Sequence, residues 1–386
     1  MSDQSKAKSK IFFPNLDGLR FVCFLTVFLY HCNETLFRKI SDPTARKIID
    51  FLFRNGNVGV NIFFVLSGFL ITYLLIKEKE LKKDISLTNF YMRRILRIWP
   101  LFYLCVFFGF VVYPFLKSHA ELGPNEAVSN GWYYLFLAGN FDLIHIWPKV
   151  PDALPIIVLW SVAVEEQFYL SWPVLLKYIS SKFYPLLFAG IIIFTMVFRS
   201  FYTADTDANY AILHFHTFSV IGDMALGGLM AYFCSYDSFI FRFIRNMKRW
   251  HLYLLYIITV ATVLFKEQLF HGPSLVIERL VLAILFAFII AEQNYAEHSF
   301  FKFSSFKTIS KLGIYTYGLY CLHFIGILAV SMLIEKTKIP VNALWANLLA
   351  CGAALLLTII ISLLSYHLFE KHFLKLKDRF AFIVKN

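Results

Sequence analysis

The first chemical signal in the chain is a pair of polar residues in an otherwise apolar stretch. Residues 17 to 31 read Asp-Gly-Leu-Arg-Phe-Val-Cys-Phe-Leu-Thr-Val-Phe-Leu-Tyr-His, with Arg20 near the start and His31 at the end. This spacing is close to three turns of helix, so both side chains leave on nearly the same face, roughly 16 Å apart along the axis. That is about half the thickness of a bilayer's hydrocarbon core. Ionisable groups inside a spanning helix are tolerated mainly where they face a polar cavity or a partner, which makes the pair a candidate site. A neutral imidazole near mid-depth can accept a proton from a hydroxyl, as general-base catalysis requires. The plain alternatives are an ion pair of Arg20 with Asp17 and a hydrogen-bonded packing role for His31.

Three further arginines, Arg93, Arg94 and Arg97, precede the third apolar segment. Together with Arg20 they would place four guanidiniums at one mouth of a bundle. Such a group suits phosphates, because the planar fork binds them bidentately and stays charged at ordinary pH. Anchoring a helix end to anionic headgroups is the competing role. Glu165 and Glu166 interrupt the fourth apolar segment. Adjacent helical residues point about 100° apart, so at most one of the two faces the cavity of His31. One of them, Glu166 ahead of Glu165, would orient the imidazole or stabilise its protonated form, as in catalytic triads. His214, His216, Asp223 and His323 are further polar intrusions, read as packing residues. Their spacing carries no metal signature, and no metal is expected.

These residues need a membrane bundle to position them. The 386 residues are 59% hydrophobic and include 44 phenylalanines, outside the range of soluble domains. The net charge of +12 fits basic loops at the membrane surface rather than nucleic-acid binding, for which no module or basic face is present. The six cysteines are scattered and form no C-x-x-C pair, so they are read as small hydrophobes. No cleavable signal peptide, repeat or second soluble domain is evident. The fold class expected is all-α, a polytopic bundle of about ten transmembrane helices. Their approximate spans are 16–37, 57–76, 98–116, 156–178, 183–202, 211–234, 250–266, 274–292, 312–334 and 341–368. Lys and Arg gather in alternate connections, which places both termini in the cytoplasm. The first outer connection, with Arg38, Lys39, Arg46, Lys47 and Arg54, runs against this bias. The expected organisation is a tail over 1–15 bearing Lys6, Lys8 and Lys10, a membrane domain over 16–372, and a tail over 373–386. An aromatic-rich outer loop over 117–155 caps the domain.

Four blocks then occur in order. They are Arg20 with His31; Gly56-Asn-Val-Gly-Val-Asn-Ile-Phe-Phe-Val-Leu-Ser-Gly-Phe69; Arg93-Arg-Ile-Leu-Arg-Ile-Trp-Pro-Leu-Phe-Tyr103; and Leu159-Trp-Ser-Val-Ala-Val-Glu-Glu-Gln-Phe-Tyr169. Thr316-Tyr-Gly-Leu-Tyr-Cys-Leu-His323 follows late in the chain. In this combination the sequence resembles the membrane acyltransferase-3 family over about residues 11–375. The resemblance implies an O-acyltransferase, usually an O-acetyltransferase. Its donor would be cytoplasmic acyl-CoA and its acceptor a hydroxyl of a cell-surface or exported carbohydrate or glycolipid. Arg20 and His31 match the family's essential arginine and histidine, Arg93, Arg94 and Arg97 its arginine motif for the CoA phosphates, and Glu165 and Glu166 its Glu-Glu-Gln block. Some members carry an extra esterase-like domain. Its absence from this chain favours direct transfer inside the bundle, with Ser67, Ser161 or a tyrosine as the alternative acyl carriers. A bacterial inner membrane suits these features, and oligomeric state and acceptor stay open. A transporter of an anionic solute, using the same intramembrane charges, is the alternative.

Overall fold

The computed structural model describes residues 13–119, 127–337 and 342–380. Lys6, Lys8 and Lys10 of the amino-terminal tail, part of the 117–155 loop and the last six residues lie outside the described residues. Ten long helices carry the architecture. They are α1 (Pro14–Glu34), α2 (Val58–Lys82), α3 (Leu87–Phe107), α4 (Leu159–Tyr178), α5 (Tyr184–Ser200), α6 (Thr217–Ser235), α7 (Arg249–Leu264), α8 (Leu275–Tyr295), α9 (Thr316–Thr337) and α10 (Leu344–Ser365). Among the described residues there is no β-sheet, only an isolated bridge between Ala127 and Pro151. The protein is an all-α polytopic membrane bundle. Seven of its helices are long and apolar enough to cross a membrane, those built on α2, α3, α5, α6, α8, α9 and α10. Of the other three, α7 has only 16 residues, while α1 and α4 carry the ionisable residues that drew attention in the sequence.

Each expected span contains a helix, and two boundaries differ in ways that matter to the site. The third helix begins at Leu87, with the hydroxyl of its N-cap Ser86 accepting from the Asn89 amide at 3.4 Å. Arg93, Arg94 and Arg97 therefore project from the helix itself and not from a loop before it. At the other end, the segment expected as a tail from 373 continues as helix. A π-helical turn over Tyr366–Glu370 leads into Lys371–Lys377, and the chain then comes back against α3, where Arg93 donates to the Phe380 carbonyl at 2.7 Å. The described part of the 117–155 loop is likewise not featureless, since it holds short helices over Gly131–Leu135 and Gly139–Ile146.

The start of α1, which places Arg20, is tied down by a polar knot. Asn15 donates to the Gln293 carbonyl at the end of α8 (2.6 Å) and accepts from the Ser304 amide (3.0 Å). The short helix Lys307–Gly313, which precedes α9, ends close beside it, because a Cβ on Gly313 would stand 1.8 Å from the Asp17 carbonyl oxygen. Four of the five basic residues in the connection between α1 and α2, which run against the charge bias, are paired, two of them with acids from distant parts of the chain. Arg38 pairs with Glu34, Lys39 with Glu335 (3.4 Å), Arg46 with Asp50 (3.4 Å) and Arg54 with Glu267 (3.0 Å).

α2 and α6 cross at backbone contact. A Cβ on Gly68 would lie 1.9 Å from the Met224 carbonyl oxygen, so only glycine fits where these helices meet. Close approach through small residues is how helices associate in lipid, where apolar surface alone gives no preference for a partner helix. Gly68→Val is expected to destabilise the bundle at the upper end of the overpacking range, about 3 kcal/mol. Gly190→Ala, at a position with nothing within 4 Å, is expected to be neutral. Thermal unfolding of the two variants in detergent checks both, and an unchanged midpoint for Gly68→Val would contradict the close crossing.

Candidate active site

The three arginines of α3 have different surroundings, because successive helical positions turn by about 100°. Arg93 points toward the end of α2. It pairs at 3.3 Å with Glu78, which is fully buried, and also donates to the Phe380 carbonyl, so its guanidinium holds α2, α3 and the carboxy-terminal segment together. Arg94 lies over the rings of Tyr169 (5.2 Å) and Phe90 (5.6 Å), a cation–π arrangement that leaves its charge without a carboxylate bond. Arg97 is exposed, and among the described residues it has no hydrogen bond or ion pair. Its charge nonetheless acts on Arg20, Arg94, Glu165 and Glu370. Arg20 makes the ion pair with Asp17, at 2.9 Å, and faces Arg97 with the rest of its field. The expected group of four arginines thus divides. Arg20, Arg94 and Arg97 share one mouth, whereas Arg93 is occupied in structural bonds beside it.

Glu165, Glu166 and Gln167 fan out from α4 to three different neighbours. Glu165 accepts from the Ser67 hydroxyl at 2.8 Å and from the Tyr169 hydroxyl at 3.3 Å, on the side of Arg94 and Arg97. Glu166 accepts from the Trp99 indole at 2.8 Å, and its other oxygen is buried without a partner. Gln167 donates to Asn140 (2.9 Å) and to the Leu137 carbonyl (3.1 Å) and accepts from Thr217, which joins α4 to the outer loop and to α6. The sequence reading had Glu166 or Glu165 orienting His31. Among the described residues neither carboxylate bonds that imidazole; Glu165 instead lies in the field of Arg94 and Arg97, and Glu166 in that of Arg94.

Deeper in the bundle the charged layer gives way to hydroxyls and then to imidazoles. The Ser161 and Tyr320 hydroxyls share a bond of 2.6 Å between α4 and α9. One turn further along α9, His323 is fully buried, with its Nδ1 2.6 Å from the Tyr320 carbonyl oxygen and its Nε2 without a partner among the described residues. Its ring centroid lies 5.2 Å from that of His31, which is half-buried and also packs on Phe324 at 4.8 Å. The order from mouth to interior is therefore Arg97 with Arg20 and Arg94, Glu165 with Ser67 and Tyr169, Tyr320 with Ser161, and His323 with His31.

The remaining polar intrusions have structural duties. Asp223 pairs with Arg279, while Arg199 donates to the Leu213 carbonyl (3.0 Å), to Ser219 (2.8 Å) and to the Leu275 carbonyl (2.7 Å). His214 stacks on Tyr210, and His216 accepts the Phe218 amide proton at the start of α6. Tyr320, Ser161 and Tyr169 escaped the sequence reading as partners, and His323 was read as packing. The spacing of Tyr320 and His323, three apart on one helical face, was the available signal. Among the described residues no group of three His, Cys, Asp or Glu is placed to hold a metal ion.

Comparison with known proteins places this geometry in a family. The model of a family described as an acyltransferase domain, Acyl_transf_3, matches residues 13–367. The chain is 27% identical over 409 residues to the peptidoglycan O-acetyltransferase OatA of Listeria monocytogenes, covering 98% of this chain and 60% of that protein. It is 28% identical over 406 residues to the O-acetyltransferase OatA of Staphylococcus aureus, with the same coverage of 98% and 60%. The chain thus spans about 60% of the length of these curated relatives. No solved structure matches it. With nearly its whole length accounted for by the match, the chain belongs to the acyltransferase-3 family of membrane proteins.

Proposed function

We propose that the protein transfers an acetyl group from acyl-CoA, bound at the arginine mouth on the cytoplasmic side, to a hydroxyl of a cell-surface carbohydrate on the opposite side of an inner membrane. Both termini would then be cytoplasmic. The observation that carries this reading is Arg97, exposed, without a bond among the described residues and within electrostatic reach of Arg20 and Arg94, at the head of a series of polar groups that ends on His31. A cation left without a protein partner in a cluster of like charges is poised for an anion of higher charge than a single carboxylate. The phosphates of CoA have that character.

Arg94 and Arg97 hold the phosphates, with Arg20 adding its field from the Asp17 pair. Arg93 supports the mouth from behind through Glu78 and is not itself a phosphate ligand. Glu165 and Glu166 offset the arginine charge in the low-dielectric interior, and Glu165 fixes Ser67 and Tyr169 along the path. The pantetheine arm extends past this layer and brings the thioester to His31. There the acceptor oxygen attacks the thioester carbonyl as His31 removes its proton, and the proton then passes to the departing thiolate, leaving CoA with a free thiol. The relatives named for peptidoglycan O-acetylation favour a carbohydrate acceptor, with peptidoglycan fragments the first to test. An open cleft of about 540 Å³ lined by Ser129, Asn130 and Trp132 offers an aromatic surface for a sugar in the loop region.

Two outcomes test the donor side and the chemistry separately. Titration of acetyl-CoA into the purified protein in detergent is expected to show saturable binding that Arg97→Ala weakens by about 10- to 100-fold, the worth of one or two lost charge-assisted hydrogen bonds. Arg93→Ala is expected to lower the unfolding temperature more than it lowers donor affinity. Equal losses of affinity for the two variants would remove the distinction drawn between them, and no binding by the parent would remove the donor. For the chemistry, His31→Ala is expected to bind acetyl-CoA as the parent does while acetyl transfer to peptidoglycan fragments falls by about 10²- to 10⁴-fold. A variant with undiminished turnover would exclude His31 as the base.

A further inference from the structure

We infer that His323 is the positioning residue of the reaction, holding His31 in its working tautomer and sharing the charge that forms on it. This is the task the sequence reading gave to Glu165 or Glu166, and it rests on His31 being the base. The observation that leads to it is a bond on one side of the His323 ring and a vacancy on the other. Nδ1 lies 2.6 Å from the Tyr320 carbonyl oxygen, and a carbonyl only accepts, so Nδ1 must carry the proton. In the neutral ring Nε2 is then a bare lone pair. It is buried and, among the described residues, has no partner.

Buried polar atoms are normally satisfied, and a specific exception calls for a reason. Among the described residues two side chains with a proton to give stand beside His323, Tyr320, whose ring lies 5.8 Å away and whose hydroxyl is already bonded to Ser161, and His31. Its ring is packed against Phe24 (5.9 Å), Phe28 (6.3 Å) and Phe324 (5.8 Å), which offer no proton, and against His31 at 5.2 Å. At that separation two imidazoles come within reach of an N–H···N bond once their edges turn toward one another. A bond from a His31 ring N–H to His323 Nε2 leaves the other His31 nitrogen deprotonated and facing the acceptor. Fixing a base's tautomer through the hydrogen bond on its second nitrogen is the role of the third member of a triad, and a neutral imidazole in a dry site can play it as an acceptor. When His31 takes the hydroxyl proton and the new ester bond forms, the positive charge on His31 is stabilised by the His323 lone pair. The thioester C–S bond then breaks, the sulfur takes the electron pair, and the proton leaves His31 for the thiolate. His323 bonds to neither substrate, gains no proton and returns unchanged.

The test is a coupling cycle on acetyl transfer from acetyl-CoA to peptidoglycan fragments. His323→Phe suits the packing, since most neighbours are aromatic, and His323→Gln restores an acceptor near the position of Nε2. Both are made in the parent and in His31→Ala. In the parent background His323→Phe is expected to lower kcat by about 10²-fold with KM for acetyl-CoA within a few-fold. His323→Gln is expected to recover at least about tenfold of that loss, the rescue expected where only the acceptor was missing. In the His31→Ala background neither substitution is expected to lower kcat further, because a residue that acts through His31 has nothing left to act on. Equal losses in both backgrounds, or no loss in the parent, would overturn the assignment. A His31→Ala protein with full turnover would instead remove the base itself, an outcome read before any His323 variant is measured. Retained acetyl-CoA binding shows that each variant is folded, and should His323→Phe fail this check, the His323→Gln pair decides alone.

Discussion

A guanidinium in an apolar bundle must find an anion, a ring face or water, and this requirement shapes the site-bearing part of the structure. Arg20 has Asp17, Arg93 has Glu78, and Arg94 has the faces of Tyr169 and Phe90. Removing one partner of such a buried pair leaves an uncompensated charge, a far larger penalty than the net worth of the pair. The helices that carry these residues are therefore fixed relative to one another by charge as much as by packing. α1 is locked at its start by Asn15 and by the close passage of the Lys307–Gly313 helix, and α3 is sealed to α2 and to the carboxy-terminal segment through one arginine. Arg97 alone among these cations is exposed and bonded to nothing described, and in the proposed function it is the one left to meet the donor.

The polar groups also separate by depth. Along the line from Arg97 to His31, charge stays at the arginine end, the Ser161–Tyr320 hydroxyl pair occupies the middle, and two imidazoles end it. In the proposed function this layering would keep phosphate binding apart from proton transfer. The carboxylates stay where they compensate arginines, so the deeper region holds neutral groups and a dry surrounding of phenylalanines. In such a setting a single forming charge on His31 is strongly felt by whatever faces it. The acetyl transfer proposed here needs that arrangement, with a donor anchored by its charged end and reacting at its neutral end.

Much of this was legible in the sequence, because it followed from local periodicity. The all-α bundle, its helical segments and the run of arginines near the start of α3 depend on residues a few turns apart on one helix. Directions between helices were not legible. Nothing in the α3 sequence says that Arg93 meets Glu78 and the Phe380 carbonyl while Arg97 meets nothing, since the partners come from distant parts of the chain. The Glu-Glu-Gln run announced a polar interruption but not its three separate destinations at Trp99, Ser67 and Asn140. His323 was undervalued for the same reason. A lone histidine in an apolar helix reads as packing until the fold sets its free nitrogen beside a second histidine.

In the proposed function the donor enters from the arginine end and the acyl group leaves from the other. The most direct measurement uses sealed vesicles of known orientation, with labelled acetyl-CoA confined to one side and a carbohydrate acceptor to the other. The account predicts that label reaches the acceptor only when acetyl-CoA faces the end of the bundle that holds Arg20, Arg94 and Arg97. Equal transfer from either side, or transfer only from the opposite side, would contradict it.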